Sequence, residues 1–192
     1  MNSPRETVTV ELGPGPAPHE VLRAAARRPG AFLLESALRP GRRARWSYLG
    51  CEPFSVLSAR GRRTWERRGG ETRRLRRTAF NEVRNFLREH RCTRPEEAGG
   101  DAPEFAAGAV GFMGYELGRL VERLPARVLD ELHLPHMHLG LYDRALAYDH
   151  EREVWHASAV DFLNGDVSRK MDYLAELIDE GGAEARDGGP RG

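Results

Sequence analysis

The chain has 192 residues, a formal net charge of +1, a hydrophobic share of 40% and a charged share of 31%. This length suffices for one domain with a hydrophobic core, and the composition is ordinary for a water-soluble protein. The near-neutral charge argues against a global field that would attract nucleic acid or a membrane. No apolar run reaches the roughly 20 residues that a membrane-spanning helix needs, and the N-terminus lacks the apolar core of a signal peptide.

The cysteine count and the basic residues add two expectations. Cys51 and Cys92 are the only cysteines, which favours reduced thiols in a cytoplasmic protein. Lys170 is the only lysine, and we interpret this whole-chain preference for arginine as coding bias rather than as the mark of one site.

The first sixty residues predict short strands around one helix. Thr7–Leu12 alternates apolar and polar residues, as a half-buried strand does. A Gly-Pro turn follows at 13–16, and Pro18 then opens a helix that continues to Arg28. Three more strands are predicted at 31–36, 45–51 and 54–59, with a turn at 39–43.

The next segment is dominated by arginine. Residues 60–77 contain nine arginines around Gly69-Gly70, and two short runs about a Gly-Gly turn predict a β-hairpin. Thr78 is a candidate N-cap for a helix to His90, which has apolar residues on one face. A loop rich in proline, glycine and acidic residues is expected over 91–104.

The stretch from Phe105 to Asp149 carries the most distinctive pattern. Ala106–Phe112 is small and apolar, which predicts a strand buried on both faces, and its glycines indicate a bulge or close approach by another backbone. From Tyr115 the spacing of leucines predicts a helix ended by Pro125, with Glu116 able to pair with Arg119. Met137–Tyr148 then predicts one long strand.

The C-terminal part predicts a strand, a helix and a tail. A strand is expected at Val154–Val160, and Asn164 or Asp166 can cap the helix that follows. Residues 181–192 are Gly-rich and charged, which predicts a flexible tail or the start of a linker after a region at 1–180. Hairpins with interspersed helices indicate an α+β fold of mainly antiparallel sheet layers with helices packed outside.

One group of residues offers the chemistry of an amino-acid site. Leu34, Glu35 and Ser36 end one predicted strand, and Arg45 and Trp46 begin the next. A hydroxyl and a guanidinium suit a carboxylate, a glutamate suits an ammonium group, and an indole supplies an aromatic wall. The residues alone leave the alternative of ordinary polar residues at strand ends.

Two other patterns have weaker functional interpretations. His133, His136 and His138 lie close in sequence, but no Cys or carboxylate stands at a supporting spacing, which favours a surface loop over a metal site. The arginine-rich hairpin suits phosphate or nucleic acid, yet Trp65 is its only aromatic residue. A solvated hairpin, or one that meets an acidic partner, is the favoured alternative. We predict no catalytic residues and no metal in this chain.

Several blocks together resemble the N-terminal region of the chorismate-aminating enzymes, anthranilate synthase component I and aminodeoxychorismate synthase component I. They are Gly108-Ala-Val-Gly-Phe-Met-Gly-Tyr-Glu-Leu-Gly-Arg119, then Glu-Arg-Leu-Pro, Leu-Pro-x-Met and Leu-Tyr-Asp, in the order of that family. The resemblance runs from about Val8 to Val160. The Gly-Tyr-Glu-Leu-Gly-Arg form is closer to the aminodeoxychorismate branch.

The resemblance implies a tryptophan site at Leu34, Glu35, Ser36, Arg45 and Trp46, which serves feedback inhibition in anthranilate synthase. Glutamate at 35 is typical of that branch. In the family, chorismate and Mg²⁺ bind the larger C-terminal part, and a glutamine amidotransferase subunit supplies ammonia. We therefore expect no cofactor in this chain, a scaffolding role, and no catalysis by the chain alone. A regulatory region of anthranilate synthase and an arginine-rich nucleic-acid-binding module remain the alternatives.

Overall fold

The protein is described by a computed structural model, which covers residues 3–35, 45–93, 102–123, 132–163 and 165–187. These residues form two five-stranded antiparallel sheets with helices, so the predicted α+β class is confirmed. The strands are β1 (Thr7–Pro14), β2 (Phe32–Leu34), β3 (Trp46–Gly50), β4 (Ser55–Arg60), β5 (Arg63–Arg68), β6 (Glu71–Leu75), β7 (Gly108–Met113), β8 (Met137–Tyr142), β9 (Arg144–Asp149) and β10 (Val154–Val160). The helices are α1 (Pro18–Ala25), α2 (Ala79–Glu89), α3 (Val167–Asp187) and a 3₁₀ helix (Tyr115–Leu120).

The chain divides into two compact units, each with its own sheet. The first unit comprises Met1–Glu52, Arg91–Gly108 and Tyr142–Gly192, and the second comprises Pro53–His90 and Ala109–Leu141. Within the described ranges, no helix combines the length and the apolar character that crossing a bilayer would require.

The sheet of the first unit has the order β1-β10-β9-β3-β2. One face packs on α1 and α3, because strand residues two apart face the same side and the apolar ones meet the helices. Trp155 is fully buried there, and its indole N–H donates to the carbonyl oxygen of Pro16 at 2.9 Å. The core comprises Val21, Ala24, Ala25, Leu49, Cys51, Leu146, Trp155, Ala157, Leu174, Leu177 and Ile178.

The helices of the first unit begin where the sequence predicts. Pro18 occupies the first turn of α1, and the Glu20 carboxylate accepts from the backbone N–H of Ala17 at 2.8 Å. At the start of α3, the Asp166 carboxylate accepts from the backbone N–H of Ser168 at 2.9 Å. Asp166 is thus confirmed as a cap, while Asn164 lies outside the described residues.

The helix α3 continues beyond its predicted end. Residues 181–187 are helical, so the prediction of a flexible tail from residue 181 is wrong for this segment. Gly181 lies against α1, where an added Cβ would stand 2.7 Å from the Cα of Val21. The glycine therefore permits a close approach of the two helices, and its burial stabilises a helical turn that glycine alone disfavours. Residues 188–192 lie outside the described part.

The sheet of the second unit has the order β6-β5-β4-β8-β7. The predicted hairpin is confirmed as β5 and β6, with Gly69 and Gly70 at positive φ in its turn. The helix α2 packs on one face of the sheet through Phe86. The core comprises Leu57, Ala59, Ala79, Phe86, Leu117, Met137, Leu139 and Leu141.

The predicted long strand Met137–Tyr148 is wrong. Two strands replace it, and they belong to different sheets: β8 lies next to β4, whereas β9 lies between β10 and β3. The break falls at Asp143, whose buried carboxylate forms salt bridges with Lys170 Nζ at 2.8 Å and with Arg144 Nη1 at 3.1 Å. The apolar pattern is the same on both sides of this residue, so periodicity alone did not reveal the change of sheet.

The prediction of a fully buried strand at Ala106–Phe112 is also wrong. The strand β7 is an edge strand, and Phe112 and Met113 are nearly half exposed. Its glycines do allow a close backbone approach, since a Cβ on Gly111 would lie 2.0 Å from the carbonyl oxygen of His138. The residues after β7 form a short 3₁₀ helix, which buries Leu117 and contains the predicted Glu116–Arg119 pair at 2.7 Å.

Candidate functional site

Four of the five residues of the predicted amino-acid site lie at the end of β2 or the start of β3. In the sheet register, Leu34 is opposite Tyr48, and Trp46 is opposite Asp149 of β9. Leu34 and Glu35 are exposed, whereas Arg45 and Trp46 are half-buried. Ser36 lies outside the described residues, as does the predicted turn at 39–43. The structure thus brings the end of β2 and the start of β3 together.

Arg45 is bound by a carboxylate that the sequence analysis did not single out. The Nε and Nη2 atoms of Arg45 donate to Asp149 Oδ2 at 3.0 and 2.5 Å. Asp149 is fully buried, and 14% of the Arg45 side chain is exposed. The charge of this guanidinium is therefore already balanced from within the sheet. A ligand carboxylate at Arg45 would share the cation with Asp149.

The second oxygen of Asp149 holds the adjoining turn. Oδ1 accepts backbone N–H groups from Glu151 at 2.9 Å and from Arg152 at 3.3 Å. Burial alone would raise the pKa of the Asp149 carboxyl. The hydrogen bonds from Arg45 and from the turn, together with the Arg45 charge, outweigh burial and hold that pKa below its ordinary range. Asp149 is accordingly ionised at neutral pH and fixes both Arg45 and the end of β9.

The indole of Trp46 lies between a cation and a histidine. The Arg45 guanidinium is 4.9 Å from the Trp46 ring centroid, and the His156 ring contacts the indole edge-on at 5.2 Å. Cation–π and edge-to-face contacts of this kind are favourable when partly desolvated. They orient Trp46, so its ring is a preformed aromatic surface at this end of the sheet.

A second aromatic group lies nearby on the same sheet. Tyr48 and Phe105 contact edge-on at 5.7 Å, and Phe105 also contacts Phe32 of β2 at 6.3 Å. Phe32 in turn contacts Tyr142, whose hydroxyl donates to the carbonyl oxygen of Gly30 at 2.6 Å. Burial raises the pKa of Tyr142 to about 12. This cluster anchors the short strand β2, which carries Leu34 and leads to Glu35.

The residues that sequence reasoning missed are Asp149 and His156. Both belong to strands distant in sequence from β3, and only the β3-β9-β10 order brings Asp149 to Arg45 and His156 to Trp46. One available clue was a carboxylate placed directly before the turn at 150–153. An aspartate there often caps the following backbone N–H groups.

The three histidines of the metal hypothesis have separate neighbours. The ring of His133 is 3.1 Å from Arg60 Nη2, and His136 Nδ1 accepts the backbone N–H of Gly61 at 3.1 Å. His138 stacks on Phe112 at 6.2 Å. In the described parts of the chain, no three His, Cys, Asp or Glu side chains are arranged to hold a metal ion.

No protein-family model matches the sequence, but individual proteins do. Anthranilate synthase component 1 of Mycobacterium tuberculosis is 34% identical over 168 residues, which cover 80% of this chain and 32% of that protein. Aminodeoxychorismate synthase component 1 of Klebsiella aerogenes is 33% identical over 125 residues, which cover 65% of this chain and 27% of that protein. The chain therefore spans about a third or less of the length of these relatives.

A solved structure shares the fold. Anthranilate synthase component I from Streptococcus pneumoniae superposes with a TM-score of 0.54 at 19% sequence identity, over 76% of this chain and 31% of that one. At this identity the likeness establishes the fold, and the predicted fold family is confirmed.

Proposed function

Since the chain is a homologue of anthranilate synthase component I and aminodeoxychorismate synthase component I over most of its length, we propose that it is the N-terminal region of an aminodeoxychorismate synthase component I. The whole enzyme would aminate chorismate to 4-amino-4-deoxychorismate, on the way to 4-aminobenzoate and folate. The observation that carries the enzyme-region part of this proposal is the match to 80% of the chain by an anthranilate synthase component 1 about two and a half times as long. The chain's own part would be a scaffold.

The catalytic groups are assigned to the part of the enzyme that this chain does not span. Chorismate and Mg²⁺ would bind there, and a glutamine amidotransferase subunit would deliver ammonia to it. Consistent with this division, Asp143, Asp149 and Glu66 are the buried carboxylates among the described residues, and each is bound by a cationic side chain. These three carboxylates are therefore not available to bind a metal ion or a substrate.

The aminodeoxychorismate branch is preferred because of the block from Gly114 to Arg119. The second candidate is the N-terminal region of anthranilate synthase component I. It is supported by Glu35 and by the identity to the M. tuberculosis protein. In both candidates the chain is the N-terminal region of the enzyme. They differ in the catalytic part that follows it, which makes 4-amino-4-deoxychorismate in one case and anthranilate in the other.

Exchange of segments tests the branch. The chain would replace the matching third of the K. aerogenes enzyme in one chimera and of the M. tuberculosis enzyme in another, and product formation would be followed by chromatography. We expect measurable 4-amino-4-deoxychorismate from the first chimera and about tenfold lower relative activity in the second, since a poorer interface costs ~1.4 kcal/mol or more. The reverse ranking would favour the anthranilate branch.

A tryptophan half-site at Leu34, Glu35, Ser36, Arg45 and Trp46 is the second part of the proposal. The preformed indole of Trp46 and the exposed carboxylate of Glu35 support it, as an aromatic wall and an ammonium acceptor. Arg45 would supply donors for the ligand carboxylate while Asp149 keeps the guanidinium in place. In the whole enzyme, residues outside this chain would close the pocket.

Calorimetry with L-tryptophan tests the half-site. We expect weak, saturable heat with the unmodified chain and about tenfold weaker binding with Ser36→Ala, because one hydrogen bond to a charged group is worth about 1.5 kcal/mol. Ser168→Ala, at the start of α3, is the matched control and should bind as the unmodified chain does. The absence of heat from both the chain and the chimeras would overturn the half-site but not the enzyme-region proposal.

A further inference from the structure

The charge of the chain is distributed very unevenly. Between Arg60 and Arg91 there are twelve arginines and four glutamates, a net charge of +8. The whole chain carries +1, so the remaining residues carry −7. An overall charge near zero therefore conceals one strongly basic segment, which comprises β5, β6 and α2 of the second unit.

Most of this basic charge is presented to solvent by the hairpin. Its exposed arginines are Arg62, Arg63, Arg67, Arg68, Arg73, Arg74, Arg76 and Arg77. Arg73 binds the buried Glu66 through Nε and Nη2, at 2.8 and 2.6 Å. In the described ranges, the other seven have no carboxylate oxygen within 4.0 Å of the guanidinium. The hairpin thus has far more positive charge than its own protein neutralises.

The outer strand of this hairpin is an edge of the sheet. The strand β6 pairs with β5 on one side, and no other described strand pairs with its second side. Residues Glu71 to Arg74 are exposed, and Leu75 is half-buried. An edge strand presents unpaired backbone N–H and C=O groups to which another extended chain can add. Cations and an open strand edge therefore coincide along β6.

A cavity of about 570 Å³ lies between the hairpin and α2, and side chains of both charges line it. Its charged lining comprises five arginines and three glutamates, namely Arg68, Arg73, Arg74, Arg76, Arg77, Glu66, Glu82 and Glu89. A phosphate placed inside would meet three carboxylates. Arg62, Arg63 and Arg67 are exposed and do not line the cavity, so the positive charge extends beyond it along the outside of the hairpin.

We propose that the β5–β6 hairpin is a docking site for an extended acidic segment of a partner protein, which adds to the β6 edge as a further strand. Main-chain hydrogen bonds to β6 would provide affinity, as in other cases of strand addition. Alternate carboxylates of the segment would pair with Arg74 and with the arginines that follow β6. Charge-assisted hydrogen bonds to guanidinium groups then favour acidic sequences over neutral ones.

An acidic protein segment fits better than nucleic acid. Proteins that bind single strands combine cations with several aromatic side chains on which bases stack. Trp65 is the only aromatic residue of the hairpin, it is half-buried, and Arg74 lies directly opposite on β6. The strand edge, in contrast, is a feature that only a polypeptide backbone can pair with in a regular ladder.

Fluorescence anisotropy with the purified chain tests the proposal. The probe is a labelled peptide of about ten residues that alternates Glu and Thr, a length that exceeds the strand it would pair with. We expect saturable binding that weakens about tenfold between roughly 50 and 200 mM salt, because exposed ion pairs are screened. A peptide with Gln in place of every Glu should bind about tenfold more weakly or not at all.

Three comparisons separate the possible occupants. The first comparison uses a chain with two substitutions, Arg74→Glu and Arg76→Glu, which should bind the peptide about tenfold more weakly than the unmodified chain. Its control carries Arg23→Glu and Arg169→Glu at exposed sites of α1 and α3, and it should bind within about twofold of the unmodified chain. A peptide N-methylated at alternate residues should lose about tenfold, since it lacks ladder donors. An oligonucleotide of equal charge should bind about fivefold more weakly than the peptide.

The outcomes that would overturn the proposal are equally specific. No saturable binding of the Glu-Thr peptide up to about 1 mM would remove it. Equal binding of the N-methylated peptide would show that the arginines attract polyanions without strand addition. Tighter binding of the oligonucleotide would assign the hairpin to nucleic acid instead. The peptide-side changes do not alter the protein, so these results do not depend on how well the arginine variants fold.

Discussion

Each of the two sheets contains a buried strand carboxylate that pairs with an arginine in or directly before a neighbouring strand, but the two pairs differ in exposure. In the first unit, Asp149 is fully buried and 14% of its partner Arg45 is exposed. In the second unit, 9% of the Glu66 side chain is exposed, whereas 73% of its partner Arg73 is exposed. One ion pair belongs to the interior, and the other joins the interior to the surface.

The difference follows from what else holds each carboxylate. The Asp149 carboxylate accepts hydrogen bonds from two backbone N–H groups in addition to those from Arg45, so its negative charge is well stabilised by the protein. Glu66 receives the hydroxyl of Ser55 at 2.9 Å and otherwise relies on Arg73. Desolvating both partners is expensive unless the remaining hydrogen-bonding groups are satisfied. In the first unit, the sheet and its turn satisfy the hydrogen-bonding groups of Asp149. In the second unit, the guanidinium of Arg73 remains exposed to water instead.

The largest predicted effect compares the two cores. Trp155→Ala should lower the free energy of unfolding by ~4–5 kcal/mol, because it empties a fully buried indole site and leaves the Pro16 carbonyl without its donor. Phe86→Ala, in the second core, should cost about 3 kcal/mol, since the ring is smaller and slightly exposed. Urea denaturation followed by circular dichroism measures both. A larger loss for Phe86→Ala would contradict the comparison.

The next prediction concerns the two buried carboxylates. Asp149→Asn should cost about 3 kcal/mol, because the nearly buried Arg45 loses its buried counter-charge, and the exposed Glu151, at 3.7 Å from Arg45 Nε, is a weaker substitute. Glu66→Gln should cost about 1 kcal/mol, because the exposed Arg73 can turn to water. Both substitutions keep the volume of the side chain, so cavity formation does not confuse the result. Equal losses in urea denaturation would mean that exposure of the partner is unimportant.

The stability of the protein across acid pH tests the same two carboxylates, Asp149 and Glu66. Burial favours a higher pKa for each carboxyl, but arginine and the other donors prevail and lower the pKa of both Asp149 and Glu66. As pH falls below the ordinary carboxyl range near about 4, the unfolded chain takes up protons first, so the folded state loses stability. Asp149→Asn should flatten this loss in thermal unfolding measured across acid pH. An unchanged acid slope would contradict the assigned pKa direction.

The smallest predicted effect lies on the hairpin itself. Arg74→Ala should change the free energy of unfolding by less than about 0.5 kcal/mol, because the side chain is exposed and is not bound to a carboxylate. Ser158→Ala, a similarly conservative change at a buried position of the first sheet, should cost about 1 kcal/mol through its 2.9 Å contact with Thr9. A destabilisation above 1 kcal/mol for Arg74→Ala would assign the hairpin arginines a structural role.

The parts of the fold that local chemistry determines could be predicted from the sequence. Pro18 marks the start of α1, Gly69-Gly70 the turn of the hairpin, and Asp166 the cap of α3. Each of these residues acts within a few positions of itself. Two of the three errors, those at Asp143 and Gly181, have another origin, because there the outcome depends on a distant element: Lys170 of α3 in one case and Val21 of α1 in the other.

The candidate site divides in the same way. Leu34, Arg45 and Trp46 could be named from strand ends and residue type, and Leu34 and Trp46 do end and begin neighbouring strands. Asp149 and His156 could not be named, since they reach Arg45 and Trp46 through the order of strands in the sheet. The partner of a buried charge is a tertiary property, and an arginine in isolation does not reveal it.

The most direct test of the central claim is turnover by the purified 192-residue chain itself. The chain, shown to be folded by circular dichroism, would be incubated with chorismate, ammonium and Mg²⁺, and the products would be separated by chromatography. We expect no aminated product above the uncatalysed background, and activity only in a chimera that supplies the catalytic part. Formation of 4-amino-4-deoxychorismate or anthranilate by the chain alone would contradict it.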